Sequence, residues 1–367
     1  MVFDDVLEIR NGRNQKAVEN PDGKYPIYGS GGIIGRADDY ICDAETVVIG
    51  RKGNINKPIF VEEPFWNVDT AFGLEANKTV LLPRYLYYFC VNYDFEKHNK
   101  TVTIPSLTKA DLLKIQINLP SLVEQKDIVD KLQLAEKIIY RRRQELDTFD
   151  RLIKARFVEM FGDPELNPKK WPIETLGDVL SVEPQNGLYK PQSDYVQDGT
   201  GIPILRIDAF YDGKVTDLSG LKRLNCTDTE RSRYLLVEND IVINRVNSLE
   251  YLGKCAWITG LIEPTVFESN MMRFHVDESR INPCYITRLL CSPFIYKQIL
   301  NRAKKAVNQA SINQRDVQNL KILIPPVELQ KQYAAFVAQV DKSKSVVKKS
   351  LDETQLLFDS LMQKYFG

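Results

Sequence analysis

The sequence predicts a mixed α/β (α+β) protein in which two globular modules are separated by an antiparallel pair of long coiled-coil helices. Three observations carry this expectation. The phrase LPSLVEQK at Leu119–Lys126 returns as IPPVELQK at Ile324–Lys331, 205 positions later. Each copy leads into a long stretch whose apolar residues recur at steps of three and four, the spacing of a helical seam. Each copy is also preceded by short apolar or alternating segments broken by turn residues, which is how strands read.

From Ser106 opposite Ser311 the two copies run without a gap to Phe161-Gly162 opposite Phe366-Gly367, sharing Asp111/Asp316, Pro120/Pro325, Gln125/Gln330, Lys126/Lys331 and Leu146/Leu351. The expected packing positions are Ile128, Leu132, Ile139, Leu146, Phe149 and Ile153 in the first copy, and Val337, Val340, Val347, Leu351 and Phe358 in the second. Arg142, Lys344 and Thr354 also fall on the seam, so gaps or solvent contact are expected there. Pro120 and Pro325-Pro326 stand just before each helix, where a missing N–H costs little. Glu124 and Glu328 suit the positive end of the helix dipole. Gly162 and Gly367 are residues preferred at helix ends. Each helix is expected to run about 60 Å at 1.5 Å per residue.

The modules are read from strand-like runs: TVVIG, KPIFV and KIQINLP in the first, and GIPILRI, DIVINR, CAWIT, MMRFHV and KILIPP in the second. A helix is expected near Leu81 to Asn92, with a counterpart near Cys284 to Leu300. Asp5-Val6-Leu7 matches Asp178-Val179-Leu180, and VVIGR at Val47 matches IVINR at Ile241, so both modules share landmarks although the second is longer. The first module lacks leading residues equivalent to Trp171–Leu176, and its first strand is expected to be short. The expected organisation is a first module over residues 1–119, a long helix over 120–162, a second module over 163–323 and a second long helix over 324–367.

Composition sets limits on function. Lys+Arg and Asp+Glu number 49 each, so the net charge is zero. Proteins that hold nucleic acid unaided usually show a basic excess, because phosphate neutralisation supplies most non-specific affinity. The six cysteines form no C-x-x-C pair and there are two histidines, His98 and His275, which argues against a zinc site and for a reducing, cytoplasmic setting. No metal is expected, and there is no apolar run of membrane-spanning length.

Two divergent modules, each closing on the proline-to-glutamine phrase and a long helix, resemble the DNA-specificity (S) subunit of Type I restriction-modification systems. The likeness covers essentially the whole chain. It implies that each module is a target-recognition domain reading one half of a bipartite DNA sequence in a prokaryotic cytoplasm. It implies also that the helical pair sets the unread spacer and scaffolds two modification (methyltransferase) subunits, with restriction subunits as further partners. On that reading the chain is not an enzyme and holds no cofactor; S-adenosylmethionine belongs to the partner methyltransferase subunits. In keeping with this, there is no N/D-P-P-Y/F motif, Walker loop or nuclease cluster. The competing readings are a DNA methyltransferase or nuclease with unrecognised motifs, and a coiled-coil scaffold without DNA binding.

Candidate DNA contacts lie on three kinds of loop. The glycine-rich KYPIYGSGGIIGR offers Ser30 and Arg36, and fits neither a Walker loop nor a dinucleotide fingerprint. After the strand-like TVVIG come Arg51, Lys52 and Asn54, matched by Asn244, Arg245, Asn247 and Ser248 in the second module. Arg pairs with guanine in the major groove, Asn with adenine, and Lys with guanine or phosphate. Before each closing phrase stand polar loops bearing Lys100, Thr101 and Thr103, and Lys304, Lys305, Asn308 and Gln309. Ser106 and Ser311 are read as caps of the following turn. Arg206, Arg231 and Arg233 are looser candidates in the longer module. Phe65, Trp66 and Trp257 are read as core rather than stacking platforms, and Arg141–Arg143 as a solvated helix face.

Overall fold

The computed structural model describes residues 1–99, 104–307 and 309–367. The chain divides into two compact units, Met1–Leu146 with Val346–Gly367, and Asp147–Ser345. Each unit therefore holds one module, one end of the first long helix and the opposite end of the second.

In the first unit, Leu7–Asn11, Ala71–Ala76, Thr46–Gly50 and Ile59–Val61 form a four-stranded antiparallel sheet in that order. Alternate side chains of a strand point to opposite faces. Val47 and Ile49 accordingly enter one core with Tyr85, Leu86 and Phe89 of the helix Pro83–Asn92, whereas Val48 enters another with Cys42, Val61 and Phe65. Both faces of this strand are covered, which explains why TVVI reads as a continuous apolar run. A second sheet joins Gly32–Ala37, Tyr25–Gly29 and Trp66–Asn67.

The second unit repeats the device. Ile241 and Ile243 face one core while Val242 faces another. Their strand lies in a six-stranded sheet ordered Phe210–Tyr211, Gly213–Val215, Cys255–Trp257, Ile241–Asn244, Met271–Val276, Leu180–Asn186. A four-stranded sheet is built from Tyr195–Val196, Arg223–Leu224, Ile202–Leu205 and Val266–Phe267. The predicted helix near Cys284–Leu300 is instead two helices, Pro283–Leu290 and Pro293–Arg302. Pro293 cannot continue the first, and Ser292 caps the second by accepting the Ile295 N–H.

Two other local expectations are corrected. KIQINLP forms no strand, only a bridge from Gln116 to Val2, whereas KILIPP contributes Lys321–Leu323, paired with Ile173–Thr175. The first module thus starts with a single bridge where the second has a three-residue strand. The turn caps are Thr108 and Asn313, whose side chains accept the Asp111 and Asp316 N–H groups, rather than Ser106 and Ser311. The Asp5/Asp178 landmark is a shared cap: Asp5 accepts the Val2 N–H at 3.0 Å and Asp178 the Thr175 N–H at 2.9 Å.

The long helices span Leu122–Phe161 and Val327–Phe366. The first starts in a reciprocal cap, Ser121 Oγ–H and N–H donating to the Glu124 carboxylate and Glu124 N–H to Ser121 Oγ; the Ser121 hydroxyl and N–H bonds hold the Glu124 carboxyl below its usual range. It ends at Gly162, whose φ of +82° is the left-handed conformation of a helix terminus. In the first unit Ile128, Val129 and Leu132 pack with Met362, Phe358 and Tyr365 in the module core. In the second, Ile153, Phe157 and Met160 pack with Tyr333, Val337 and Val340. The pairing is antiparallel within each unit, and the helix ends belong to the module cores as well as to each other. Ile139 and Val347 are buried, and Leu146, Phe149, Leu351 and Phe358 half-buried. The polar seam residues have partners: Arg142 with Glu145 at 3.1 Å, Lys344 with Asp150, and Thr354 Oγ1 with the Ser350 carbonyl at 2.7 Å.

Candidate nucleic-acid interface

The strand Thr46–Gly50 delivers the turn Arg51–Asn54, whose backbone is fixed from three directions. The Arg51 and Lys52 N–H groups donate to the Thr70 carbonyl at 2.8 and 3.3 Å, Gly53 N–H donates to the Pro105 carbonyl at 3.0 Å, and the Arg51 carbonyl accepts the Leu107 N–H at 2.9 Å. Held by these bonds, the turn exposes Arg51, Lys52 and Asn54, with Arg51 lying 5.7 Å from the Phe72 ring.

The hairpin tip Ser30-Gly31 lies against this turn: a methyl group at Gly31 would meet Asn54 Nδ2 at 3.7 Å, and one at Gly53 would meet Ser30 Oγ at 4.0 Å. Lys52 also bridges to Ser106. The glycine-rich hairpin and the post-strand turn, separate in sequence, therefore share one surface next to the closing phrase. Lys100, Thr101 and Thr103 lie outside the described residues. Arg36 is exposed, but its guanidinium donates to the Gly23 and Lys24 carbonyls, each at 2.6 Å, and so braces the hairpin. Beside it Ile33 and Ile34 are 62% and 56% exposed, an apolar edge that the sequence did not single out.

The second module builds the same frame. Arg245 and Val246 N–H groups donate to the Asn270 carbonyl at 2.8 and 3.2 Å, and the Arg245 carbonyl accepts the Ile312 N–H at 2.9 Å. Val246-Asn247 then pairs with Ala310-Ser311, which pairs with Lys304-Lys305, so the two predicted loops become one small sheet. Lys304, Lys305, Gln309 and Ser248 are exposed and Asn247 is half-buried; Asn308 lies outside the described residues. Asn247 Oδ1 accepts the Ser248 N–H at 2.8 Å, an ordering bond within the turn.

Asn244 is placed differently from what direct contact requires. It is 1% exposed and its amide donates to the Tyr251 carbonyl at 3.3 Å, so it shapes the turn from beneath. Arg245 is half-buried, donating to the Ser269 carbonyl at 3.2 Å. Arg206, also half-buried, has Nε 3.6 Å from buried Glu268 and its guanidinium 5.7 Å from the Tyr195 ring. Burial pushes the Glu268 carboxyl above the usual range, opposed by the Ile207 N–H and the Arg206 charge. The two arginines thus grip neighbouring points of one segment, Glu268-Ser269. Arg231 and Arg233 are exposed on the helix Asp228–Tyr234. Phe65 and Trp66 are core residues, and half-buried Trp257 donates to Asn239 Oδ1.

Thr70 and Asn270, which anchor the two turns, went unnoticed in the sequence because they act through backbone carbonyls. Among the described residues no group of three or more His, Cys, Asp or Glu side chains is placed to hold a metal, and no helix is long and apolar enough to cross a membrane.

The family model for the Type I restriction modification DNA specificity domain matches this chain over residues 2–148 and 168–354. A Methanocaldococcus jannaschii protein, provisionally named the MjaX specificity subunit of a type I restriction enzyme, is 33% identical over 202 residues, 54% of this chain and 46% of its own. The EcoKI specificity subunit of Escherichia coli K12 is 26% identical over 286 residues, 72% of this chain and 59% of its own. The EcoBI specificity subunit of Escherichia coli is 24% identical over 376 residues, 94% of this chain and 77% of its own. The chain spans about half to three-fifths of the length of the first two relatives. The fold is shared with the S subunit of a Type I restriction-modification system from M. genitalium, at a TM-score of 0.67 and 16% identity, covering 100% of this chain and 95% of that one. It is shared also with a chain solved in work on complex assembly and conformational transition of the type I R-M system, at a TM-score of 0.58 and 18% identity, covering 100% and 96%. With both modules matched, this chain belongs to the Type I restriction modification DNA specificity domain family.

Proposed function

We propose that this chain is the DNA-binding specificity subunit of a Type I restriction-modification complex, each module reading one half of a bipartite target. The observation that carries the reading is the repeated turn frame: Arg51 held by Thr70 and Leu107, and Arg245 held by Asn270 and Ile312. A rigid backbone frame presenting variable polar side chains is what a reader of base edges needs, because base contacts specify and require fixed geometry. Ser30, Arg51, Lys52, Asn54 and the Lys100–Thr103 loop serve the first half-site. Asn247, Ser248, Lys304, Lys305, Asn308 and Gln309 serve the second, with Arg206 and Arg245 beside them; Arg36 and Asn244 support their loops.

The helical pair fixes the unread spacer and carries two methyltransferase subunits, to which restriction subunits are added. The partners hold S-adenosylmethionine and the catalytic groups, and share the phosphate contacts that a chain of zero net charge does not supply alone. The assembly works in a prokaryotic cytoplasm.

Methylome sequencing of a host expressing this chain with its neighbouring methyltransferase tests the reading. A methylated-adenine motif in two parts with a fixed gap is expected; a continuous motif would overturn it. Tight S-adenosylmethionine binding by the purified chain alone would favour the methyltransferase alternative.

A further inference from the structure

A cavity of about 450 Å³ opens in the second unit, rimmed by Tyr211, Lys254 and Tyr296 and floored by Leu252, Cys255 and Cys291. The two cysteines come from different elements. Cys255 begins the strand Cys255–Trp257 and is 1% exposed, whereas Cys291 caps the C-terminus of the helix Pro283–Leu290 and is half-buried. Their sulfurs are 3.6 Å apart, and both are free thiols. None of the proposed DNA contacts uses them.

The pair is chemically unequal. The contact with the Cys255 sulfur, reinforced by Arg288 and opposed by burial, holds the Cys291 thiol below its ordinary value; the same contact and burial push Cys255 up. A half-buried cysteine at the wall of a cavity, within 3.6 Å of a second thiol, is the arrangement of a peroxide-reactive and a resolving cysteine.

We propose that Cys291 and Cys255 are a reversible modification site, oxidised to a disulfide by a small hydroperoxide entering this cavity. With hydrogen peroxide, the Cys291 thiolate attacks one oxygen. The S–O bond forms, the O–O bond breaks, and the departing hydroxide takes a proton and leaves as water. Cys255 then gives up its proton and attacks the sulfenic sulfur; the S–S bond forms, the S–O bond breaks and a second water leaves. Two thiols lose two electrons to one peroxide. The sulfurs must close to about 2.05 Å, and the Cys291-Ser292 turn between two helices is the joint able to move. The cross-link would tie the strand after the Ser248–Lys254 turn to that joint, since Glu250, Leu252 and Gly253 form one wall of the cavity.

The test titrates the full-length chain with hydrogen peroxide, alkylates the remaining thiols and maps digested peptides by mass. A Cys255–Cys291 linked peptide, reversed by dithiothreitol and appearing before Cys42, Cys90, Cys226 or Cys284 is oxidised, is expected. Cys255→Ser should leave a dimedone-reactive sulfenic acid at Cys291. Absence of the linked peptide, or earlier oxidation of Cys226, would overturn the site. Dimedone labelling of Cys255 in Cys291→Ser without the reciprocal label would overturn the assignment of Cys291 as the first to react. These readouts need no DNA, so they stand apart from the specificity-subunit reading.

Discussion

Gln330 accepts the backbone N–H of Asn282 at 2.8 Å while donating to the Pro325 carbonyl at 2.7 Å, and is wholly buried. Gln125 does the same in the other module, accepting from Leu82 and donating to the Pro120 and Val80 carbonyls. Leu82 and Asn282 are the N-cap residues of the short helices Pro83–Asn92 and Pro283–Leu290. The repeated glutamine therefore locks the start of each long helix to the start of the helix covering its module. Tyr85 and Tyr285 add a second lock, donating to the Asn118 and Leu323 carbonyls at 3.1 and 3.0 Å.

Removing this amide strands backbone groups, one buried (the Pro325 carbonyl) and the others half-buried, each costing about 1–3 kcal/mol at most where water is kept out. Gln330→Ala leaves two without a partner and is expected to lose about 2–4 kcal/mol. Gln125→Ala leaves three and is expected to lose at least as much. Urea denaturation of each variant measures the loss. A midpoint shift no larger than that of an exposed Gln→Ala control would refute the clamp.

The helix-forming half of the repeat was legible because period and proline placement are local signals, and the observed helices begin and end within a few residues of the expected 120–162 and 324–367. The strands at Val47 and Ile241 were legible as apolar runs. The glutamine clamp was not, since the helix caps it reaches, Leu82 and Asn282, lie more than 40 residues away in sequence. Asn244 and Arg245 read alike in sequence, yet the strand's alternation and turn bury one and half-expose the other. Thr108 and Asn313 outcompete Ser106 and Ser311 as caps because the serines are held by bridges to Lys52 and Val246.

Lys304 and Lys305 sit side by side, exposed, on the strand beside Asn247's partner. If both meet phosphate, Lys304→Ala with Lys305→Ala should lower the slope of log affinity against log salt by about two. Arg36→Ala should instead leave the slope unchanged and reduce stability, because its guanidinium is spent on backbone carbonyls. Fluorescence anisotropy on the assembled complex at several salt concentrations separates the two; an unchanged slope for the double lysine variant would remove that loop from the interface.

Lys344 lies on the helical seam and pairs with Asp150, with side-chain exposures of 23% and 49%. A pair this solvated contributes about 0–1 kcal/mol, and Lys344 carries a long stem that methionine can replace. Lys344→Met is thus expected to be neutral or mildly stabilising. A loss above about 2 kcal/mol in urea denaturation would mean that the pair is far more desolvated than its geometry indicates.

Asp240 is fully buried, accepting the Val237 N–H at 2.9 Å, with His275 Nδ1 at 3.1 Å and Arg273 at 3.4 Å. Burial nevertheless pushes its carboxyl above the ordinary range, against the pull of that N–H, of Arg273 and of the His275 bond. The folded state therefore holds this proton more tightly than the unfolded state. By linkage, the stability that this group contributes is fullest below the ordinary aspartate range and is lost as pH rises through its folded value, which burial places above that range. Asp240→Asn removes the titration while keeping an acceptor for Val237. Stability of the wild type minus that of the variant, from urea midpoints between about pH 4 and pH 7, should fall as pH rises. A difference that rises with pH would mean that Arg273 and His275 outweigh burial and hold Asp240 as a carboxylate.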